Sequence, residues 1–291
     1  MATTSTKSRS DLYATVTATI VDELERGPEA WAQSWTLSVD AWCPRNHLTG
    51  NVYRGINLLL LAVACSKRGV LTNRWATFRQ ALAAGGAVRR SARGIPLVLF
   101  KPLDAKNVPV DRAESAADAL ESHQRVLVRH FHVFHISDCE GLPEAEHQPP
   151  ANRSLAASIV RSSGARIVPG KPCYRPHEDI VQLPDPSSFD SLEHYYTTAY
   201  HELVHWSAPR VKRELAMKRF GDQAYAMEEL VAELGAAMLC GAAGVPMISQ
   251  CAAYLDSWLK VLRTDKRAIF GVAAQAQKAA DYLLDAAAMA S

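Results

Sequence analysis

The spacing of apolar residues predicts helices along most of the chain. The first helix carries one apolar face that repeats every four residues: Leu12, Val16, Ile20 and Leu24. Similar patterns predict further helices over Ile56–Cys65, Thr77–Ala84, Leu155–Gly164, Phe189–Trp206, Ala226–Cys240, Met247–Val261 and Arg267–Ala288. Short or alternating apolar runs predict strands over Ala87–Val88, Ile95–Phe100, Arg125–Ile136, Arg166–Val168 and Asp179–Leu183. Because helices and strands do not alternate in a βαβ rhythm, the pattern favours an α+β fold.

A polar segment with three prolines divides the chain. It covers Gly141–Asn152 (GLPEAEHQPPAN), and its composition is typical of a linker. We therefore predict two domains, residues 1–142 and residues 153–291, joined by a linker at residues 143–152. The first domain mixes short helices and strands, whereas the second is mainly helical.

Charge is distributed unevenly between these parts. The chain has 291 residues, of which 48% are hydrophobic and 21% charged, as in an ordinary globular protein, and its net charge is +2. The segment Ala41–Leu103 nevertheless contains ten Lys and Arg residues and no Asp or Glu, which leaves 22 basic and 30 acidic residues elsewhere. A basic block in an otherwise acidic chain indicates an anionic partner for the first domain.

Aromatic and amide side chains are interleaved with these basic residues. Cations that follow phosphates and rings that stack on bases are typical of single-stranded nucleic-acid binding, and no basic recognition helix for a duplex is evident. The candidate DNA-binding residues are Trp35, Arg45, Asn46, Tyr53, Arg54, Asn57, Trp75, Phe78, Gln80, Arg89, Arg90 and Arg93. The five arginines would contact phosphates, and the four aromatic residues would stack on bases. Two alternatives stay open, namely an acidic protein partner and a solvated basic face whose tryptophans belong to the core.

The cysteines and the N-terminus indicate a cytoplasmic protein. No two of the six cysteines form a C-x-x-C pair, which favours scattered, reduced thiols. The segment Met1–Asp11 is polar and lacks the apolar core of a secretory signal. The most apolar later run, Leu234–Ile248, is short for a membrane span and contains several glycines.

A possible catalytic metal site lies in the second domain. The segment HELVH, from His201 to His205, is an H-E-x-x-H sequence within a region of helical period. Residues four apart lie one turn above each other, so both imidazoles face the same way and can bind one Zn²⁺, or another divalent metal such as Mn²⁺. Glu202 is then near enough to a metal-bound water to act as the general base. Ser187 or Ser188 is placed to cap the start of this helix.

A third ligand is expected from the segment that follows. Glu229 and Glu233 lie four residues apart on one face of an apolar helix, where carboxylates are costly unless they are paired or bind a metal. The economical assignment makes Glu229 the third ligand and Glu233 the acceptor for the second N–H of a ligand histidine. Glu228 would then point elsewhere. Three protein ligands leave a fourth position for water, as in a catalytic site.

Other interpretations of the histidines stay open. His201 and His205 could lie on the surface beside solvated ion pairs, or the site could be folded but inactive. His130 and His132 share one face of a predicted strand while His135 points away, which favours an exposed polar face over a second metal site.

A nuclease or primase is disfavoured, because the sequence has no acidic cluster suited to two Mg²⁺ ions and no P-loop.

Both predicted domains contain distinctive short motifs. In the first domain they are P-x-N-x-x-T-G-x-x-Y-R-G-I-N from Pro44 to Asn57, W-x-T-F-x-Q from Trp75 to Gln80, G-G-x-V-R from Gly85 to Arg89 and C-E-G-L-P from Cys139 to Pro143. In the second they are Y-Y-x-T from Tyr195 to Thr198, H-E-L-x-H-W from His201 to Trp206 and E-E-L-V-A-E from Glu228 to Glu233. Together these motifs resemble the ArdC antirestriction family, whose N-terminal domain also occurs in plasmid-encoded TraC-type primases.

This resemblance implies an N-terminal domain that binds single-stranded DNA and a C-terminal domain similar to SprT-type zincin metallopeptidases. It also implies a plasmid protein that shields incoming conjugative DNA from host restriction. Two sites on one chain suggest that DNA positions the peptidase against DNA-bound proteins. The rival hypothesis is a non-enzymatic protein that coats single strands and has a structural or vestigial metal site. Val204 stands where the family pattern has Gly, and we expect its side chain to narrow the substrate cleft.

Overall fold

The structure is a computed structural model, and it describes residues 11–31, 43–70, 72–102, 126–144, 153–215, 223–248 and 253–290. The candidate base-stacking residue Trp35 and most of the predicted linker lie outside these ranges. Within them, no helix has both the length and the apolar character needed to cross a membrane. The five cysteines in the described ranges are free thiols.

Helices and short strands alternate irregularly in the described ranges. The helices are α1 (Leu12–Glu25), α2 (Ile56–Arg68), α3 (Phe78–Ala83), α4 (Arg153–Ser162), α5 (Leu192–Ser207), α6 (Gln223–Ala243), α7 (Leu255–Thr264) and α8 (Ala268–Met289). The strands are β1 (Arg45–Asn46), β2 (Arg74–Thr77), β3 (Ala87–Val88), β4 (Ile95–Pro102), β5 (Val126–His135), β6 (Cys139–Glu140), β7 (Arg166–Pro169), β8 (Cys173–Arg175) and β9 (Ile180–Leu183). The predicted α+β class and two-domain organisation are confirmed.

The N-terminal part is built on a four-stranded sheet of order β1-β2-β5-β4. Strand β1 runs parallel to β2, while β5 runs antiparallel to both β2 and β4. Strands β3 and β6 form a separate antiparallel pair. Helix α2 packs against β4 and thereby covers one face of the sheet. A capping box between Thr77 and Gln80 starts α3 directly after β2.

The C-terminal part combines helices with a small sheet of order β7-β9-β8. Helix α6 packs against α5 and α8, and α5 also contacts β8 and β9. The sheet therefore lies beside the helix that carries the H-E-x-x-H segment.

The two parts share one continuous hydrophobic core. The ring of Tyr13 on α1 meets Phe270 on α8 edge-on at 4.8 Å, and Phe100 on β4 meets the same ring at 6.2 Å. The Thr17 hydroxyl on α1 donates to the Lys266 carbonyl oxygen at 2.7 Å. The backbone N–H of Gly55 donates to Gln277 Oε1 on α8 at 2.9 Å. The N-terminal helices therefore pack on the C-terminal helices.

Three details differ from the predicted elements. Helix α5 begins at Leu192 with Ser191 as its cap, because Ser187 and Ser188 belong to a separate 3-10 turn. The residues before α7 include Met247 and Ile248, which lie outside any helix, so the apolar run there reflects burial of Met247 instead of helix formation. The sequence pattern also missed β1, β2, β6 and β8, whose two to four residues are too few for an alternation to show.

Candidate functional site

Helix α5 presents the H-E-x-x-H segment to the protein interior. The Ser191 hydroxyl accepts a hydrogen bond from the His194 backbone N–H at 3.1 Å, which satisfies one of the free donors of the first turn. His201 and His205 follow on successive turns, and their rings meet edge-on with centroids 4.8 Å apart. His205 is buried, whereas His201 is partly exposed and faces a cavity.

Helix α6 brings Glu229 to the same point. The Nε2 atoms of His201 and His205 lie 3.2 Å apart. Glu229 Oε2 lies 3.3 Å from His201 Nε2, and Glu229 Oε1 lies 3.6 Å from His205 Nε2. A tetrahedral Zn²⁺ ion with bonds of 2.0–2.1 Å needs donor atoms about 3.3–3.4 Å apart. The spacing of this donor set therefore fits a divalent metal, and these are the residues that meet around one point.

Glu228 and Arg213 support His205 from behind. Glu228 Oε1 accepts a hydrogen bond from His205 Nδ1 at 2.9 Å, and its other oxygen accepts from Arg213 Nη1. Arg213 Nη2 also donates to the Val204 carbonyl oxygen at 2.7 Å. The expectation that Glu228 points elsewhere is wrong, because α6 places consecutive carboxylates on two sides of His205. A carboxylate on Nδ1 leaves Nε2 free to bind a metal.

Glu233 lies beside the other histidine. Its Oε2 is 3.9 Å from His201 Nδ1, which is beyond hydrogen-bond distance. Burial lowers the pKa of His201, but the hydrogen bond with Glu229 and the charges of Glu202, Glu229 and Glu233 outweigh it and raise the pKa to about 9. Burial raises the pKa of Glu229, but His201 and His205 together hold it below its usual value. The site is therefore a compact negative cluster that attracts protons or a cation.

A cavity of about 420 Å³ opens in front of these residues. This volume is in the range of pockets that hold a small ligand or a peptide side chain. Glu202, which is 8% exposed, faces the cavity together with His201 and Glu229. Its carboxylate can therefore reach a water in the cavity.

Two tyrosines complete the polar side of the cavity. The hydroxyls of Tyr225 and Tyr254 lie 3.5 Å apart, and Tyr225 also hydrogen-bonds Glu229. Tyr225 stands four residues before Glu229 on the same helix, so its helical spacing could have identified it from the sequence as a neighbour of the metal site. Tyr254 and Arg213 come from loops, where spacing gives no such signal.

An ion pair fixes the small sheet to α5. Arg210 Nη1 and Nη2 donate to the two oxygens of Asp179 at 3.1 and 2.6 Å, and the guanidinium lies 3.5 Å above the Trp206 ring. Asp179 also accepts from the Tyr174 hydroxyl at 3.0 Å, and Tyr174 lines the cavity. The hydrogen bonds from Arg210 lower the pKa of Asp179. A bidentate pair of this kind orients the cavity wall relative to the metal ligands.

Val204 packs in the helix interface instead of the cleft. Its side chain is fully buried, and a Cβ added to Gly235 on α6 would lie 2.7 Å from Val204 Cγ2. Gly235 therefore makes room for Val204 where α5 and α6 meet. The expectation that Val204 narrows the substrate cleft is wrong, because its side chain packs into the α5–α6 interface and is not among the residues that line the cavity.

Several predicted DNA contacts have structural roles. Trp75 is fully buried and donates its indole N–H to Asn73, so the prediction that it stacks on a base is wrong. Asn46 is also buried and binds Tyr53 and Gln80 through its amide nitrogen at 3.2 and 3.0 Å. Asn57 donates to and accepts from the Val98 backbone, both at 2.8 Å. These amides hold turns and strands in place.

Other predicted contacts lie on the surface. Phe78 is 55% exposed at the start of α3, and Arg90 and Arg93 are exposed beside the β3–β4 turn. Arg89 is exposed but pairs with Glu140 at 2.9 Å. Arg54 pairs with Asp281 on α8.

One arginine and three histidines occupy other positions in this half of the protein. Arg45 is half-buried and donates to the Gly50 carbonyl oxygen at 3.2 Å. His130 and His132 are exposed neighbours on β5, whereas His135 is buried and bonds Ser137 and the Thr72 carbonyl. Within the described residues, His130 and His132 belong to no group of three side chains that could hold a metal ion.

Comparisons with known proteins match both halves of the chain. The family model described as the N-terminal domain of anti-restriction factor ArdC matches residues 10–134. The family model described as a zincin-like metallopeptidase matches residues 154–275. An uncharacterized protein, y4eC of Sinorhizobium fredii, is 34% identical over 289 residues, which cover 94% of this chain and 91% of that protein.

A longer relative and two solved structures are also similar. DNA primase TraC of Escherichia coli is 34% identical over 282 residues, and the chain spans about a quarter of its length (26%). The Mn(II)-bound crystal structure of antirestriction protein ArdC from plasmid R388 is 34% identical and superposes with a TM-score of 0.75. The matched region covers 96% of this chain and 98% of the R388 protein. The metal-free structure of the same protein has a TM-score of 0.76 at 33% identity, with the same coverage.

Proposed function

Because the chain belongs to the ArdC antirestriction family, we propose that it binds single-stranded DNA and cleaves protein with its zincin-like site while conjugative DNA enters a restricting host. The observation that carries the peptidase half is the convergence of His201, His205 and Glu229 on one point, with Glu202 facing the same cavity. We propose a cytoplasmic site of action.

The residues around the cavity divide the chemistry between them. A divalent metal held by the two histidines and Glu229 would polarise a substrate carbonyl and acidify a water. Glu202 takes a proton from the attacking water and passes it to the leaving amine. The Tyr225 hydroxyl donates to Glu229 and orients that carboxylate, whereas the Tyr254 hydroxyl faces the cavity and donates to the negative charge that develops on the carbonyl oxygen.

Glu202→Gln tests this half. The substitution removes the base but keeps the size and polarity of the side chain, so it should retain metal and fold while abolishing proteolysis. Glu193→Gln on the same helix removes an equal charge outside the cavity and serves as the matched control. The measurements are bound metal, proteolysis and the survival of a conjugated plasmid in a restricting host.

The outcome in the host separates two functions. If Glu202→Gln loses plasmid protection, peptidase chemistry is part of the antirestriction function. If protection survives while proteolysis is lost, the alternative holds, in which the protein coats single strands and its metal is structural or vestigial. Proteolysis that is unaffected by single-stranded DNA would contradict the idea that DNA positions the peptidase against DNA-bound proteins.

The DNA half rests on the exposed part of the basic block. Phe78 offers a free aromatic face, and Arg90 and Arg93 are exposed cations nearby in sequence. Binding that depends on phosphate contacts should weaken steeply as salt rises. Binding to single and double strands of one sequence, measured over a range of salt, tests this half. Equal affinity for duplex, or no salt dependence, would contradict it.

A further inference from the structure

A second pocket, of about 230 Å³, opens between α1, α2 and the start of β4. It shares no lining residue with the metal cavity. Its walls are mostly apolar and consist of Val16, Leu60, Val63, Ala64, Ile95 and Pro96. Pockets for drug-sized ligands measure about 300–1,000 Å³, so this smaller one suits a single ring system.

Three exposed cations, Lys67, Arg68 and Arg93, also line this pocket and mark its solvent side, or mouth. Lys67 Nζ lies 3.4 Å from the buried carboxylate of Glu23, and Arg68 pairs with Asp138. Arg93 is exposed, and within the described part of the chain it pairs with no carboxylate. The mouth therefore carries positive charge that is not fully compensated, which favours an anionic group there.

Two threonines of α1 add a polar edge. The Thr15 hydroxyl donates to the Asp11 carbonyl oxygen at 3.2 Å, and the Thr19 hydroxyl donates to the Thr15 carbonyl oxygen at 3.1 Å. Because each hydroxyl proton is used, each oxygen is left as an acceptor. The pocket therefore offers apolar walls, acceptors for N–H groups and a cationic mouth.

We propose that this pocket holds one amino-bearing base of a DNA single strand, with the adjoining phosphate on Arg93. A flat ring with an exocyclic amine matches the apolar walls and the threonine acceptors, whereas an acyl chain has no N–H to donate. The proposal rests on the proposed single-strand binding and assigns part of the strand to this pocket.

The test measures the affinity of the full-length protein for short oligo(dA), oligo(dC) and oligo(dT). Ala64→Phe fills the pocket and should weaken binding about 5- to 150-fold, the loss of one base contact. Arg93→Gln should weaken binding and reduce the slope against log salt by about one. Thr19→Val should remove a preference of about 2- to 10-fold for oligo(dA) and oligo(dC) over oligo(dT).

Two control variants lie outside the pocket. Ala18→Phe adds the same ring to an exposed position of α1, and Arg166→Gln removes an exposed arginine of β7. Normal DNA binding by Ala64→Phe and Arg93→Gln would overturn the proposal, and so would a fatty acid that fills the pocket without displacing DNA. If Ala64→Phe does not fold, Arg93→Gln, at an exposed position, and Thr19→Val still test the proposal. Failure of the unaltered protein to bind any of the three oligonucleotides would instead refute the proposed DNA function itself.

Discussion

Replacing Glu228 by Gln should weaken metal binding and destabilise the metal-free protein for two separable reasons. The carboxylate accepts from His205 Nδ1 on one side and from Arg213 on the other. All three side chains are buried. Loss of a carboxylate behind a ligand histidine lowers metal affinity about 10- to 100-fold, which is about 1.4–2.7 kcal/mol. Loss of the charge opposite buried Arg213 costs up to about 3–5 kcal/mol of unfolding free energy.

A second substitution separates these effects. Arg213→Met removes the buried cation. The Val204 carbonyl oxygen loses its hydrogen bond from Arg213 but still accepts one from the Ser207 hydroxyl at 2.7 Å. The double variant Glu228→Gln with Arg213→Met therefore has no unpaired buried charge, so most of its stability should return. Its metal affinity should stay low, because His205 still lacks the carboxylate.

The assays are chelator competition for Zn²⁺ affinity and urea unfolding of the metal-free protein. Glu214→Gln, an exposed carboxylate in the loop that carries Arg213, is the control and should change neither quantity. Unchanged metal affinity in Glu228→Gln would refute the role of Glu228 behind His205. Recovery of metal affinity together with stability in the double variant would refute the separation of the two effects.

Three further predictions concern protonation, helix packing and the aromatic residues. Because the pKa of His201 is raised to about 9 in the metal-free protein, Zn²⁺ affinity should rise about tenfold per pH unit up to about pH 9; titrations at several pH values that give one constant affinity would contradict this. The same proton stabilises the metal-free fold fully below about pH 6.5, and this stabilisation should disappear as the pH rises to about 9. Gly235→Ala should cost about 1–3 kcal/mol in urea unfolding through its clash with Val204, and Val204→Ala added to it should cost less than the two single changes together; strict additivity would argue against the contact. Phe78→Ala should leave stability unchanged and lower single-strand affinity about 5- to 150-fold, whereas Trp75→Ala should cost about 3–5 kcal/mol of stability; the reverse pattern in unfolding and binding assays would refute these assignments.

The metal ligands were predictable because they depend on local geometry. His201 and His205 are one helical turn apart whatever surrounds them, and Glu229 follows on a second helix whose apolar character makes carboxylates conspicuous. The side that each carboxylate faces was not predictable. Glu228 reaches His205 because of the way α6 crosses α5, and Arg213 reaches Glu228 because the loop after α5 folds back. Neither the crossing nor the loop leaves a periodic signal in the sequence.

The aromatic residues show the same limit in the basic block. Trp75 and Phe78 stand three residues apart among arginines, and the composition of this segment does not indicate which of the two rings is buried. The strand β2 buries Trp75, whereas the capping box at Thr77 turns the chain and leaves Phe78 on the surface. Only the pairing of β2 with its neighbours in the sheet decides which ring faces solvent.

The shared core makes the N-terminal and C-terminal parts dependent on each other for folding. Helix α8 contacts α5 and α6, which carry the metal ligands, and it also contacts α2 in the N-terminal part. The ring of Phe270 on α8 packs against Tyr13 and Phe100, and Asp281 on the same helix forms an ion pair with Arg54 of the basic block. Ending the chain at the linker would expose these apolar surfaces to water. The two domains are therefore tightly packed against each other, and we expect a substitution that loosens α8 to affect both of them.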